Sequence, residues 1–499
     1  VNVEQELRRA AERDAAGDLG AAAAIYRAVL AATGAHPGIL AALGSATQRM
    51  GDAEGAEGHY RRALEFDPAQ PAVLVNLGAL VKARGDIDAA LALFERAVES
   101  GGGAPAVTNL ALALHETGDL DAALARYETA VALDPDLAVV RFNFANALAD
   151  AGRAQAAIAQ YRAALALDPG FDDARWNLAH VLLRAGDYPA GFAAFEARWQ
   201  VGEHKGTLAG FAAPFWQGEA RPGATILVWG EQGFGDVLQF ARYVPMLAAR
   251  GLRVVQAVQP SLVALMRTLD GVAQVVALDA ALPPHDWHCP VMSLPRLCGT
   301  TRDDVPADIP YLSADPGRVA DFRRHLPAEG LRVGLVWSSG IRRHSPTLYR
   351  IGVEKSLPGS LLEPLALPGV RLVSLQVGSD APPPAVPLVD LGAELKSFAD
   401  TAALVAALDL VVTVDTAVAH LAGALGKPVW ILLNTQACWR WALAPDTSPW
   451  YPSARLYRQV RAGDWRTPLA AMERDLRALA AQGGERPGWL SRILRGLKG

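Results

Sequence analysis

The sequence is poor in the features that mark several common protein classes. Cysteine occurs three times in 499 residues, at Cys289, Cys298 and Cys438. Neither the number nor the spacing makes a disulfide framework or a metal-ligand motif, and the expected compartment is the reducing cytoplasm. No run of about 18 apolar residues occurs, so no segment is expected to span a membrane. The first residues, VNVEQELRRA, carry no apolar signal core. Basic residues are not in excess: 47 Lys and Arg stand against 52 Asp and Glu, a formal charge of −5. A surface built for nucleic-acid phosphates shows as a basic surplus, so nucleic acid is not an expected partner. After residue 206 there is no Asp-x-Asp; the earlier ones, Asp86–Asp88, Asp119–Asp121 and Asp134–Asp136, fall in or beside the turns of a repeat. The second half thus lacks a paired-carboxylate motif for a bridging metal, and neither a metal nor another cofactor is expected. With 51% hydrophobic and 20% charged residues there is ample material for packed cores, which excludes global disorder. The length suggests about three domains.

What is present begins with a period. Aromatic residues recur at Tyr26, Tyr60, Phe94, Tyr127, Tyr161 and Phe195, at spacings of 34, 34, 33, 34 and 34. Small residues precede them by four, at Ala22, Ala56, Ala90, Ala123, Ala157 and Gly191, and Pro68, Pro135 and Pro169 close several units. The expected unit is a pair of antiparallel helices, in which a small residue admits the neighbouring aromatic and proline stops the second helix. This pattern resembles the tetratricopeptide repeat (TPR), with six units over residues 1–205, the first degenerate. Position six of the last four units reads Asn76, Asn109, Asn143 and Asn177. A row of amides, each donor and acceptor, suits the backbone of an extended peptide, and these four are the expected acceptor-binding residues. The plainer alternative is that they tie neighbouring repeats together.

After Trp199 the period stops. Residues 201–224 read as a connector, and apolar runs at Ile226–Trp229, Val254–Val258 and Val275–Leu278 read as buried parallel strands. Helical stretches at Asp236–Arg250 and Pro260–Leu269 alternate with them, and 283–310 reads as proline-rich and irregular. A second series has strands near Val333–Trp337, Arg371–Gln376, Leu410–Val414 and Val429–Leu433. Two successive βαβ series imply two Rossmann-like lobes, 206–328 and 329–499, with ligand at the strand C-termini.

Three motifs carry candidate chemistry. In WGEQGFGDVLQFARYVP (229–245), Gly233 and Gly235 let backbone approach a ligand, and the absence of the P-loop lysine excludes an NTPase of that type. Asp236 opens the following helix; it suits a proton acceptor for an incoming hydroxyl, or a carboxylate that only complements the helix dipole. In DLVVTVDTAVAHLAGALGKPVWILL (409–433), a strand leads through Asp415, Thr416 and Ala417 into a helix whose free amides suit a phosphate. His420 lies one turn in, as ligand contact or packing residue. In GLVWSSGIRRHS, Ser338 and Ser339 follow a strand. Lys355 lies beyond, with Arg342, Arg343 and Arg350 as rival cations. Gln376 ends a strand near the expected place of a nucleoside base. Trp439, Trp441, Trp450 and Tyr451 read as lobe packing.

The strings DTAVAHLAGALGKPVWILL, GEQGFGDVLQFARY and DTSPWYP resemble bacterial TPR-linked glycosyltransferases, with a catalytic half akin to heptosyltransferases and O-GlcNAc transferases. The resemblance covers nearly the whole chain. It implies an α-solenoid of TPR helix pairs followed by an α/β GT-B fold with two Rossmann-like lobes. It implies a metal-independent, inverting protein O-glycosyltransferase. Asp236 would act as base, and Lys355 would neutralise the departing phosphate. Gly233, Gly235, Ser338, Ser339, Gln376, Asp415, Thr416, Ala417 and His420 would hold a nucleotide-sugar donor. Enzymes of this architecture include modifiers of flagellin that transfer nonulosonic acids, which implies flagellin as acceptor in the TPR groove and a CMP-linked donor. Two other readings stand beside it: a TPR adaptor with an inactive GT-B module, and a glycan-extending enzyme like the heptosyltransferases.

Overall fold

The computed structural model describes residues 2–202, 205–340, 346–378, 381–441, 444 and 446–481, with backbone alone for 346–348. Arg342 and Arg343, two of the rival cations, lie outside the described residues. The chain divides into two compact units, 1–178 and 179–499.

The first unit is a run of antiparallel helix pairs, from Val3–Ala15 with Leu19–Thr33 to Ala138–Asp150 with Ala154–Leu167. The Gly-Asp turn of each repeat explains why the second helix starts where it does. Gly51 and Gly85 take left-handed backbone, with φ of 85° and 96°. The aspartate that follows turns its carboxylate onto the new helix: Asp52 accepts from the Gly55 amide at 2.8 Å, and Asp86 and Asp119 accept from Ala89 and Ala122 at 3.2 Å each. In the fifth repeat Arg153 takes that place and supplies no side-chain cap.

The aromatic period is a core period, because Tyr60, Phe94 and Tyr127 are fully buried. The residues that receive these rings differ in part from the expectation. Ala56 and Ala90 are buried, but the close approach is at Gly44 and Gly78, on the helix before. A Cβ at either would stand 2.6 Å from the Tyr60 or Phe94 ring. The division between units falls inside the helix Asp172–Ala185, so the last repeat helix, Tyr188–Phe195, belongs with the α/β part.

The second unit holds two all-parallel sheets. The first contains β1 (Thr225–Trp229), β2 (Arg253–Val258), β3 (Val272–Ala277) and β4 (Trp287–Pro290), in the order β3-β2-β1-β4. The second contains β5 (Leu331–Val336), β6 (Val370–Ser374), β7 (Leu388–Asp390), β8 (Leu410–Val414), β9 (Val429–Leu433) and β10 (Ala454–Arg458), in the order β10-β9-β8-β5-β6-β7. Strands β8 and β9 are buried on both faces, which is why they read as unbroken apolar runs. Three strands escaped the sequence reading. β4 lies within the stretch expected to be irregular and pairs with β1 in register Ile226–Trp287 to Trp229–Pro290. The short edge strands β7 and β10 are the others. The connector docks on this first sheet, the Phe211 ring stacking 4.2 Å from His288.

Candidate cleft between two parallel sheets

The C-terminal ends of β1, β5, β6 and β8 set the site. The turn after β1 enters the helix Phe234–Phe240 at Gly233, whose amide donates to Asp236 Oδ2 at 3.1 Å. Asp236 is thus the first-turn carboxylate of that helix. Its other oxygen is held from the second sheet's side by Arg440 at 2.5 Å. Arg440 also donates to Gln239 Oε1 at 2.5 Å and to Cys438 Sγ at 3.0 Å, and lies over the Trp439 ring. Burial works against its charge, yet Cys438 and Asp236 push its pKa up. A second arginine crosses the other way: Arg242 donates to the carbonyls of Trp450 and Pro306 at 2.9 Å each.

Gly235 is required by a close approach. A Cβ there would sit 2.8 Å from His420 Cδ2, so the helices Phe234–Phe240 and Ala417–Ala424 nearly touch. His420 is 5% exposed, shares a hydrogen bond between Nδ1 and the Tyr451 hydroxyl at 3.0 Å, and stacks on Trp441. Burial first, then the neighbouring Arg440 charge, lowers its pKa to about 3, so it is neutral at pH 7. These contacts are those of a packing histidine.

After β8 the chain passes Asp415 and caps the next helix with Thr416, whose hydroxyl accepts from the Val418 amide at 3.3 Å. Asp415 does not cap. It pairs with Lys355 at 2.6 Å and accepts from Trp441 Nε1 at 2.8 Å. Burial opposes its charge, but Lys355 beside it holds its pKa down to about 2. Lys355 is pushed up in turn: burial alone would lower it, and Asp415 outweighs burial. The expected cation for a departing phosphate therefore already has a carboxylate partner. Arg350 is exposed and lies 3.8 Å from Glu354.

A cavity of about 390 Å³ opens beside these pairs. Four of the residues expected to bind donor, Ser338, Gln376, Thr416 and Ala417, line it together with Phe234, Lys396, Ser397 and Phe398. Two helix N-termini meet there, those of Phe398–Ala407 and Ala417–Ala424, each presenting amides suited to an anion. Gln376 lines the cavity with its side chain already held. Its Oε1 accepts from the Trp337 and Ser338 amides at 3.1 and 2.9 Å, and its Nε2 donates to Ser338 O at 3.1 Å, so the side chain fastens the end of β5. Ser338 is buried, and both serine hydroxyls are engaged: Ser338 Oγ lies 3.3 Å from Ser356 Oγ, and Ser339 Oγ donates to Gly352 O at 3.0 Å. Asp236, Lys355, Asp415 and His420 are not among the lining residues; they form the neighbouring charged cluster. Trp439, Trp441, Trp450 and Tyr451 are buried, as lobe packing requires.

Sequence reading missed Arg440, Lys396, Ser397 and Ser356. Ser397 carried a legible signal, the S-x-x-D of a capping box: its hydroxyl donates to Asp400 Oδ2 at 2.7 Å and accepts from the Asp400 amide. In the repeats, Asn177 donates to Asn146 Oδ1 at 2.9 Å, and Asn146 also takes the Tyr161 hydroxyl. Near Asn76, the Tyr60 hydroxyl donates to Gln48 Oε1 at 2.8 Å, and Asn109 donates to Pro105 O at 2.9 Å. Of these bonds, that of Asn177 crosses to the neighbouring repeat and that of Asn109 stays within its own helix; Asn143 is half-buried. Among the described residues no helix is long and apolar enough to cross a membrane, and no cluster of three or more His, Cys, Asp or Glu could hold a metal.

Comparison with known proteins finds matches in both halves of the chain. Residues 48–114 match a tetratricopeptide repeat model, and 111–152 and 145–186 match a TPR repeat model. Residues 387–454 match glycosyltransferase family 9 (heptosyltransferase). Protein FlbA of Caulobacter vibrioides is 29% identical over 300 residues, 53% of this chain and 48% of FlbA. The chain thus spans about half the length of that relative. Among solved structures, the thermophilic TPR protein TTC0263 of Thermus thermophilus is 24% identical with a TM-score of 0.32, covering 36% of this chain and 99% of its own. The TPR protein YrrB is 20% identical with a TM-score of 0.31, covering 37% and 95%.

Proposed function

We propose, from a chain that joins tetratricopeptide repeats to a glycosyltransferase family 9 segment, that the α/β part moves a sugar from a nucleotide-activated donor to a serine or threonine of an acceptor protein held by the repeats. The observation that carries this reading is the meeting of two helix N-termini in one cavity at the strand ends, with Asp236 beside it. The donor phosphate sits against the Ala417 and Phe398 helix starts, whose dipoles stabilise negative charge as the glycosidic C–O bond breaks. The acceptor hydroxyl attacks the anomeric carbon from the opposite face, and Asp236 takes its proton, giving inversion. No metal step is needed in this scheme. Flagellin and a CMP-linked nonulosonic acid are the acceptor and donor classes that the resemblance implies, and the cytoplasm the compartment.

One observation favours the adaptor reading. Both candidate catalytic groups are already neutralised, Asp236 by Arg440 and Lys355 by Asp415. Intact-mass analysis of a co-expressed acceptor separates the two. The enzyme adds a sugar mass, and Asp236→Asn lowers that addition by roughly 10²–10⁴-fold while nucleotide binding persists. No mass increment with the wild type, or full modification by Asp236→Asn, overturns the proposed chemistry. A glycan-extending enzyme would leave the acceptor protein's mass unchanged and elongate an oligosaccharide instead.

A further inference from the structure

Among the described residues outside the cleft, Arg198 is the most fully bonded side chain, in the turn Glu196–Trp199 that ends the last repeat helix. It is completely buried, and all five of its N–H donors are used. Nε and one terminal nitrogen grip Glu231 at 2.6 and 3.1 Å, the same nitrogen reaches Ser293 Oγ at 2.7 Å, and the other takes Glu196 and the Phe195 carbonyl at 2.9 and 3.2 Å. Its plane lies over the Trp199 ring at 4.2 Å. Glu231 is equally buried and also accepts from the Met292 amide at 2.9 Å. Glu231 belongs to the turn after β1, and Met292 and Ser293 follow β4, the neighbour of β1. One guanidinium therefore ties the C-terminal ends of two adjacent strands to the end of the repeat array.

The same helix, Tyr188–Phe195, touches the other side of the cleft. Trp450 Nε1 donates to the Tyr188 hydroxyl at 3.0 Å, and Phe192 meets the Trp439 ring edge-on at 5.5 Å. Trp439 precedes Arg440, which holds Asp236. We propose that Arg198 is a positioning residue for the turn Gly230–Asp236. It fixes Glu231, and the last repeat helix is thereby part of the frame that sets the cleft. A guanidinium with five satisfied donors fixes direction as well as charge, which a packed apolar pair does not.

The role in turnover rests on the proposed function, but the test of positioning does not. Hydrogen–deuterium exchange of the full chain follows the amides of 230–240 in wild type, Arg198→Met, Arg198→Lys and the pair Arg198→Met/Glu231→Leu. The single Met variant leaves a buried unpaired carboxylate and exchanges roughly a hundredfold faster in this turn, or fails to fold. The pair variant removes both charges together, so it regains thermal stability, yet its 230–240 amides remain fast. Arg198→Lys keeps the charge and recovers only part of the protection. Wild-type protection of 230–240 in the pair variant would overturn the proposal, because Arg198 would then only balance charge. Thermal shifts with CMP, UDP, GDP and ADP form a separate arm. If none stabilises the wild type, the donor-cleft reading fails while the exchange result stands.

Discussion

Replacing Lys355 by methionine tests the charge logic of the cleft. The ammonium lies 2.6 Å from Asp415, whose side chain is 10% exposed. The Asp415 pKa falls from 3.8 to about 2, which is worth roughly 2 kcal/mol. Burial pushes the other way, so Lys355 contributes more than that net figure. Removing one partner of a buried pair costs about 3–5 kcal/mol. For a unit this large that lowers the melting transition of the α/β part by roughly 5–10 °C at pH 7. The sign with pH is fixed. A depressed carboxylate stabilises the fold above its unfolded pKa, and that stability is lost as pH falls from 3.8 through about 2. Lys355, raised, stabilises below its unfolded value of 10.5 and stops doing so as pH climbs past the folded one. Without Lys355, burial favours the neutral carboxyl, so the variant's deficit should be largest near neutrality and shrink toward about pH 4. Scanning fluorimetry of wild type and Lys355→Met from about pH 4 to 8 measures this. A deficit constant across that range, or no deficit at neutral pH, would refute the pairing as the source of stability.

Two further changes follow from the geometry. Arg153→Asp restores the carboxylate cap that the other Gly-Asp turns have, and should stabilise the solenoid by about 0.5–1 kcal/mol, read as a higher melting temperature of the whole chain. A destabilised variant would count against the capping account. Gly235→Ala drives a methyl into His420 and should cost about 1–3 kcal/mol and weaken nucleotide binding. Unchanged stability and binding would mean that the two helices can part freely.

The solenoid was legible because one aromatic per repeat is buried and the turn chemistry repeats with it. A period survives any uncertainty about where a single helix begins. The doubly buried strands β8 and β9 were legible for a related reason: burial on both faces leaves an unbroken apolar run. β4 was not, since four residues holding His288 and Pro290 carry no periodic signal, and only pairing with β1 makes them a strand. In the site, Asp236 and Asp415 stood out because each follows a strand and stands at a helix start. Their partners did not. Arg440 lies between two tryptophans that read as packing, and nothing local announces that it reaches back to Asp236. For Gln376 the sequence showed the strand end but not the direction of the side chain, which reaches back to the end of β5.

An anion that enters the cavity meets charges that are already compensated. The partly buried Lys355 and the buried Arg440 are each neutralised by a carboxylate, at 2.6 and 2.5 Å. A phosphate beside Thr416 therefore finds Lys355 and Arg440 already compensated. Attraction must come first from the amides at the two helix starts and from Lys396, which lines the cavity and is exposed. A fixed amide dipole costs no desolvated counter-charge, whereas pulling Arg440 from Asp236 leaves a buried carboxylate behind. In the proposed scheme that same step would also leave the Asp236 oxygen without its partner.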